Sequence, residues 1–212
     1  AVADEYGVRT VDYEAYAEGA AVEEYDAVYV AKPNSLHLPH VEAAATHGKG
    51  VICEKPLEVT VDRAEQAVEV CADAGVSLMT AYRMQTDPVV RRLREAIGAG
   101  ELGTITRAFG EFSYNVLGGS RGLDQWRLDA DLAGGGALMD VGVYPLNTTR
   151  FLLDTDPVAV QGVTRRSAPI EAVDEHVDFQ VVFPEAVGNF AATLTGHPSA
   201  VLELHGTDGL FR

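Results

Sequence analysis

Lysine is nearly absent from this chain: only Lys32, Lys49 and Lys55 occur in 212 residues, where 32 acidic residues face 16 basic ones for a formal net charge of −16. A surface of that sign repels nucleic acid, and no nucleic-acid partner is expected. The acidic residues are spread along the sequence and form no tail. That is the pattern of a halophilic protein, whose self-repulsion is screened at high salt. Cysteine is also scarce. Cys53 and Cys71 are too few for a disulfide framework, and no Cys/His spacing matches a zinc site, so no metal is expected. Buried, reduced thiols in a cytoplasmic protein are the expectation. No run of about 18 apolar residues is present, which argues against a membrane-spanning helix. A G-x-G-x-x-G turn is missing too: Gly134-Gly135-Gly136 lacks the third glycine and sits in the second half of the sequence. The sequence opens without methionine, in what reads as the tail of a helix, so a preceding segment is expected.

What is present alternates. Val28-Tyr29-Val30-Ala31 reads as a buried strand, about Leu38 to Ala45 as a helix, and Val51-Ile52-Cys53 as a second strand. Val61 to Ala74 has helical periodicity, and Val76 to Thr80 forms a third strand. This order predicts a parallel sheet with helical crossovers, part of a nucleotide-binding α/β fold. After Thr86 the character changes. Asp87-Pro88 starts a helix, and strands follow at about 104–114, 158–164, 176–183, 189–194 and 200–205. Strands in succession predict an open antiparallel sheet. Residues 1–86 are therefore expected to be the later portion of a Rossmann domain. Residues 87–212 are expected to form a second α/β domain, itself incomplete, whose only long helix carries Asp140 and Tyr144.

Two motifs carry chemistry. Glu54-Lys55-Pro56 follows a strand, placing a lysine at the carboxyl end of an α/β sheet, where ligands of such sheets bind. A cis Lys55-Pro56 bond is a plausible way to aim the side chain. Asp140-Val141-Gly142-Val143-Tyr144 sets a carboxylate and a phenol at i and i+4, on one helical face, behind a triple glycine that permits close backbone approach. Pro145 removes a backbone donor beside them and is expected to bend the helix. Lys, Asp and Tyr together can take a proton from an alcohol while a cofactor accepts hydride. Of the remaining histidines, His40 and His47 are expected on or after a helix facing solvent, and His176, His197 and His205 are scattered among strands with no partner spacing.

The runs Val28-Tyr29-Val30-Ala31-Lys32-Pro33-Asn34-Ser35-Leu36-His37, Glu54-Lys55-Pro56-Leu57, Ala81-Tyr82-Arg83 and Gly134 through Tyr144 resemble the glucose–fructose oxidoreductase/inositol dehydrogenase (Gfo/Idh/MocA) family over essentially the whole chain. The stretch from Gln125-Trp126-Arg127-Leu128 to Asn147 is similar to its sugar-oxidising branch, which includes archaeal D-xylose dehydrogenase. The resemblance implies a Rossmann domain followed by an α/β domain with an open sheet, and an NADP cofactor with NAD as the alternative. It further implies a homo-oligomer built through the open sheet. Lys55 would touch substrate and nicotinamide, Asp140 would orient sugar hydroxyls, and Tyr144 would be the acid/base. Pro33, Asn34, His37, Glu54, Lys55, Arg83, Trp126 and Arg127 would line the cofactor cleft. Lys32 departs from the pattern, standing where a small residue usually precedes Pro-Asn. The implied activity is oxidation of an aldose, best D-xylose, at C1 to the lactone. The alternatives are a trans-1,2-dihydrodiol dehydrogenase and a non-catalytic sugar- or cofactor-sensing member.

Overall fold

A computed structural model describes residues 2–212. The chain divides into two compact units between Ala81 and Tyr82. The expected boundary lay a few residues later. Tyr82 belongs with the second unit because its hydroxyl bonds to groups of residues 144 and 148 there.

The first unit begins with two short helices, α1 (Val2–Tyr6) and α2 (Tyr13–Ala17). Then β1 (Ala27–Val30), α3 (His37–Thr46), β2 (Gly50–Glu54), α4 (Val61–Asp73) and β3 (Leu78–Ala81) alternate as expected. The strands are parallel, in the order β1-β2-β3. Two successive crossovers stepping the same way across a sheet, both right-handed, put their helices on the same face. On that face Val30, Val51 and Cys53 pack with Leu38, Val41, Ala44, Ala67 and Cys71 of α3 and α4. The opposite face keeps Tyr29 and Met79 about half exposed, at 55% and 49%. Burial pushes the Cys53 thiol up to about 12, with nearby Glu58 and Glu54 adding to it.

In the second unit α5 (Pro88–Gly98) is capped by Asp87, whose carboxylate accepts from the Val89 and Val90 amides, with proline in the first turn. It is followed by β4 (Ile105–Asn115), one turn of helix α6 (Ala130–Ala133), and α7 (Val143–Leu153). Strands β5 (Ala159–Arg165), β6 (His176–Val182), β7 (Val187–Thr193), β8 (Thr195–Gly206) and β9 (Leu210–Phe211) complete the unit. The helix carrying Tyr144 is therefore not the only long one, since α5 has the same length of 11 residues.

The sheet runs β5-β6-β7-β4-β8-β9. Its neighbours are antiparallel as expected, except that β4 and β7 run parallel. The excursion through α7 brings the chain back in the direction of β4, as any crossover between parallel strands must. The core is large: Leu152, Leu194 and Leu204 are essentially fully buried, each worth about 2–3 kcal/mol of burial. Helix α7 lies close on β4 at Gly110, where a Cβ would stand 2.7 Å from that of Pro145. Among the described residues no helix is long and apolar enough to cross a membrane.

Candidate active site

In the first unit, β1 and β2 are parallel and pair Val30 with Cys53, so the segments that follow them leave the sheet at its carboxyl edge. The segment after β1 carries Lys32 and Pro33 and enters α3 through a tight turn, Asn34–Leu36. The segment after β2 carries Lys55, Pro56 and Leu57, and the Lys55-Pro56 peptide is cis. Both segments are tied down from below. The His37 ring, 0% exposed, places Nε2 2.9 Å from the carbonyl oxygen of Lys32 and Nδ1 3.0 Å from that of Leu57.

Glu58, 4% exposed, accepts from the amides of Leu38 (3.0 Å) and Val59 (2.8 Å) and from Arg63 Nε (2.9 Å) and Nη2 (2.7 Å). Arg63 Nη2 also donates to the Ser35 carbonyl at 2.8 Å. Burial alone would raise the Glu58 carboxyl. The bonds from Arg63 and the two amides outweigh it and hold Glu58 below the usual carboxylate range. Glu54 accepts from the Tyr29 hydroxyl at 2.5 Å and the Lys55 amide at 3.2 Å, and that carboxylate raises the Tyr29 phenol. Asn34 is buried. The Lys32 ammonium lies 3.8 Å from the centre of the Tyr13 ring, a cation–π contact.

In the second unit Asp140 and Tyr144 sit where one helical type passes into another. Leu138–Gly142 is a π-helix, with the Val143 amide donating to the Leu138 carbonyl, and α7 follows directly. The cause is local: Pro145 has no N–H for the Val141 carbonyl and its ring presses on that group, so the preceding turn widens. The expected disturbance of the helix thus takes the form of a π turn. Its start is anchored by Asp174, whose carboxylate accepts from the amides of Gly136 (2.7 Å) and Leu138 (2.9 Å), while its carbonyl accepts from Ala137 (2.7 Å). A Cβ on Gly136 would lie 2.0 Å from that carbonyl oxygen, so the close approach requires glycine.

The Tyr144 ring stacks against two others, 5.6 Å from Tyr82 and 5.1 Å from Phe112 between centroids, at interplanar angles of 29° and 26°. The Tyr82 hydroxyl donates to the Tyr144 carbonyl at 2.9 Å and lies 2.8 Å from the Thr148 hydroxyl; burial pushes its phenol up to about 12. Asp140 Oδ2 accepts from the Tyr114 hydroxyl at 2.6 Å and is 3.4 Å from Arg127 Nε. Burial, followed by the charge of Asp140 and the bond to it, pushes the Tyr114 phenol upward. Arg127 in turn stacks on Trp126, 4.5 Å from its ring centre. Arg83, Met84, Phe112, Tyr144 and Leu202 are among the residues lining a small cavity of about 130 Å³.

Pro33, Asn34, Glu54 and Lys55 therefore gather at the carboxyl edge of the parallel sheet, with His37 beneath them. Asp140, Tyr144, Trp126, Arg127 and Arg83 gather in the second unit. Phe112 and Tyr114 join them without having been singled out, and so does Tyr82, which the motifs above quoted without a role. They come from one distant strand, β4, and from the turn after β3, and no short spacing connects them to Asp140 or Tyr144.

Residues 90–212 match the GFO/IDH/MocA C-terminal domain. Residues 1–82 match the oxidoreductase family with an NAD-binding Rossmann fold. The chain belongs to the GFO/IDH/MocA oxidoreductase family. It is 46% identical over 208 residues to D-xylose 1-dehydrogenase [NADP(+)] of Haloarcula marismortui, covering 95% of this chain and 57% of the relative. It is 41% identical over 155 residues to D-xylose 1-dehydrogenase (NADP(+)) 2 of Haloferax volcanii, covering 73% and 46%. Among solved structures it resembles aldose-aldose oxidoreductase from Caulobacter crescentus complexed with glycerol, with a TM-score of 0.91 and 33% identity over 99% of this chain and 63% of that one. This member of the family thus spans about half the length of the curated relatives it matches.

Proposed function

We propose that the protein takes part in NADP-dependent oxidation of an aldose, D-xylose first among candidates, at C1 to the lactone, with NAD as the second cofactor choice. The observation that carries this reading is the held pair in the second unit. Tyr144 is fixed against two rings, and Asp140, one turn before it, is fixed by Tyr114 and Arg127. Tyr144 takes the proton of the C1 hydroxyl, and Asp140 accepts from a neighbouring sugar hydroxyl. Lys55, at the edge of the first unit, would meet the nicotinamide.

The first unit's edge fits such a cofactor. Two segments leave parallel strands side by side, carry Lys32 and Lys55 in the chain at that edge, and are cross-linked beneath by His37. Pro33, Asn34, Glu54 and Lys55 would hold it there. A bound nicotinamide supplies the acceptor for the C1 hydride. The xylose dehydrogenases of the two haloarchaea, with NADP(+) in their names, support both the substrate and the cofactor.

The reading includes a homo-oligomer paired through the open sheet. The face bearing Phe109, Val163, Gln180, Asn189 and Val201 forms a shallow depression of about 820 Å³, and Val163 is 68% exposed there. Light scattering on Val163→Glu, which should shift the mass toward the monomer, tests it. The activity is tested in concentrated KCl with aldoses, inositols and dihydrodiols, each with NADP and NAD, by the absorbance of reduced nicotinamide. Reduction with xylose is expected. Reduction only with dihydrodiols, or binding of sugar with no reduction at all, overturns the reading.

A further inference from the structure

The imidazole of His37 is fully buried, and each of its nitrogens faces a main-chain carbonyl, Lys32 on one side at 2.9 Å and Leu57 on the other at 3.0 Å. A carbonyl can only accept. A neutral imidazole has one N–H, so its second nitrogen would turn a lone pair toward a carbonyl lone pair in a place without water. Only the imidazolium satisfies both acceptors. The two acceptors belong to the two segments that leave β1 and β2 at the carboxyl edge, the first carrying Lys32 and Asn34 and the second carrying Lys55.

We infer that His37 is kept as a buried, doubly protonated imidazolium and is the positioning residue that fixes these two segments to each other. Titratable groups face it from each surrounding element. On its own helix, burial lowers His40 first, and the nearby Lys32 ammonium adds to it. After β2, Glu58 is a buried carboxylate bonded to the amide of Leu38, the residue next to His37. Arg63 of α4 balances that carboxylate. Glu54 accepts from the Lys55 amide, Cys53 is held neutral by its high value, and the Lys32 ammonium points to Tyr13.

The consequence is a tie with a pH limit. When the ring gives up its second proton, one of the two bonds is lost and the segments are no longer fixed together. That these segments meet a nicotinamide cofactor rests on the function proposed above, whereas the tie itself does not.

The test is a pH titration of the protein, isotope-labelled at its histidine ring nitrogens, over about pH 5 to 8, the range in which histidine charge changes. Both His37 ring nitrogens should carry slowly exchanging protons at the acidic end. If the second proton leaves within the range, the backbone amide signals of Lys32, Asn34, Lys55 and Leu57 should move with the same midpoint. Affinity for NADPH, read by its fluorescence, should weaken about tenfold across that step, as expected for one lost hydrogen bond. In His37→Asn the step should vanish, and the four amides should exchange faster at every pH.

A single protonated ring nitrogen at the acidic end overturns the imidazolium. Amides that ignore the ring's titration, or that are unchanged in His37→Asn, overturn the positioning role. Should His37→Asn fail to fold, the wild-type titration decides both points alone. The full histidine signature in a protein that binds no nicotinamide cofactor would overturn the proposed function and leave the tie standing.

Discussion

The two units hold the side chains proposed for the chemistry by different physics. Lys55 follows a strand whose outgoing segment is held by buried polar groups, namely His37 between two carbonyls and Glu58 among two amides and Arg63. Tyr144 is held by surfaces, with two rings stacked against it and a large apolar core behind it. Polar ties are directional, and they fail when a proton is gained or lost. Stacked rings tolerate pH and salt, and they yield only when volume is removed.

Substitutions can break this contrast, beginning with the one at the chemistry itself. Tyr144→Phe keeps both stacked rings and removes the proposed acid/base, so kcat should fall by roughly 10²–10⁴, the usual contribution of such a group. Cofactor affinity should hold, as fluorescence titration would show. Unchanged turnover would remove Tyr144 from the mechanism.

Glu58→Gln strikes the polar side. Breaking a buried, charge-assisted network should cost roughly 2–3 kcal/mol in urea unfolding. The pH dependence has a definite sign. The folded Glu58 carboxyl lies below its unfolded value, near 4.3. Its contribution is therefore full above that unfolded value and is lost as pH falls through the folded one. The wild type and Glu58→Gln should converge in stability on acidification, and parallel curves would deny Glu58 this part.

Tyr114→Phe removes the 2.6 Å bond to Asp140. Because Asp140 is assigned to the sugar, KM for the aldose should rise about tenfold while kcat changes less. A fall in kcat alone would move Asp140 from binding to chemistry. The smallest effect is expected on the packed side: Tyr82→Phe keeps the stack and loses the hydroxyl bonds, for about 1 kcal/mol of stability. Its loss should stay nearly constant with pH below neutrality, in contrast to Glu58→Gln.

Much of this was legible in the sequence, for particular reasons. The three parallel strands are short apolar runs bounded by glycine, proline and polar residues, and two of the helices between and after them have clear caps in Thr60 and Asp87. That Asp140 and Tyr144 stand in one helical segment was legible, whereas the π turn that sets Asp140 before α7 was not. The parallel alignment of β4 and β7 was not legible, because strand direction after a long excursion leaves no periodic trace. The same holds for Tyr82, Phe112 and Tyr114, which reach the site through tertiary structure. His37 shows a subtler limit. Its place in the Pro33-Asn34 motif was legible as a neighbour of the cleft, but a lone histidine does not announce whether its ring faces a ligand or two carbonyls beneath the floor.

The π turn at Leu138–Gly142 also sets how the site responds to chain length. One more residue is taken up there in a single turn than an α-helix would use, so the segment before it keeps its facing relative to α7. A residue inserted where the helix has already become α, at Val143, would find no such slack and would rotate everything before it, Asp140 included, by about 100° relative to α7. Such an insertion could leave the Tyr144 ring stacked and still carry Asp140 away from Tyr114 and Arg127.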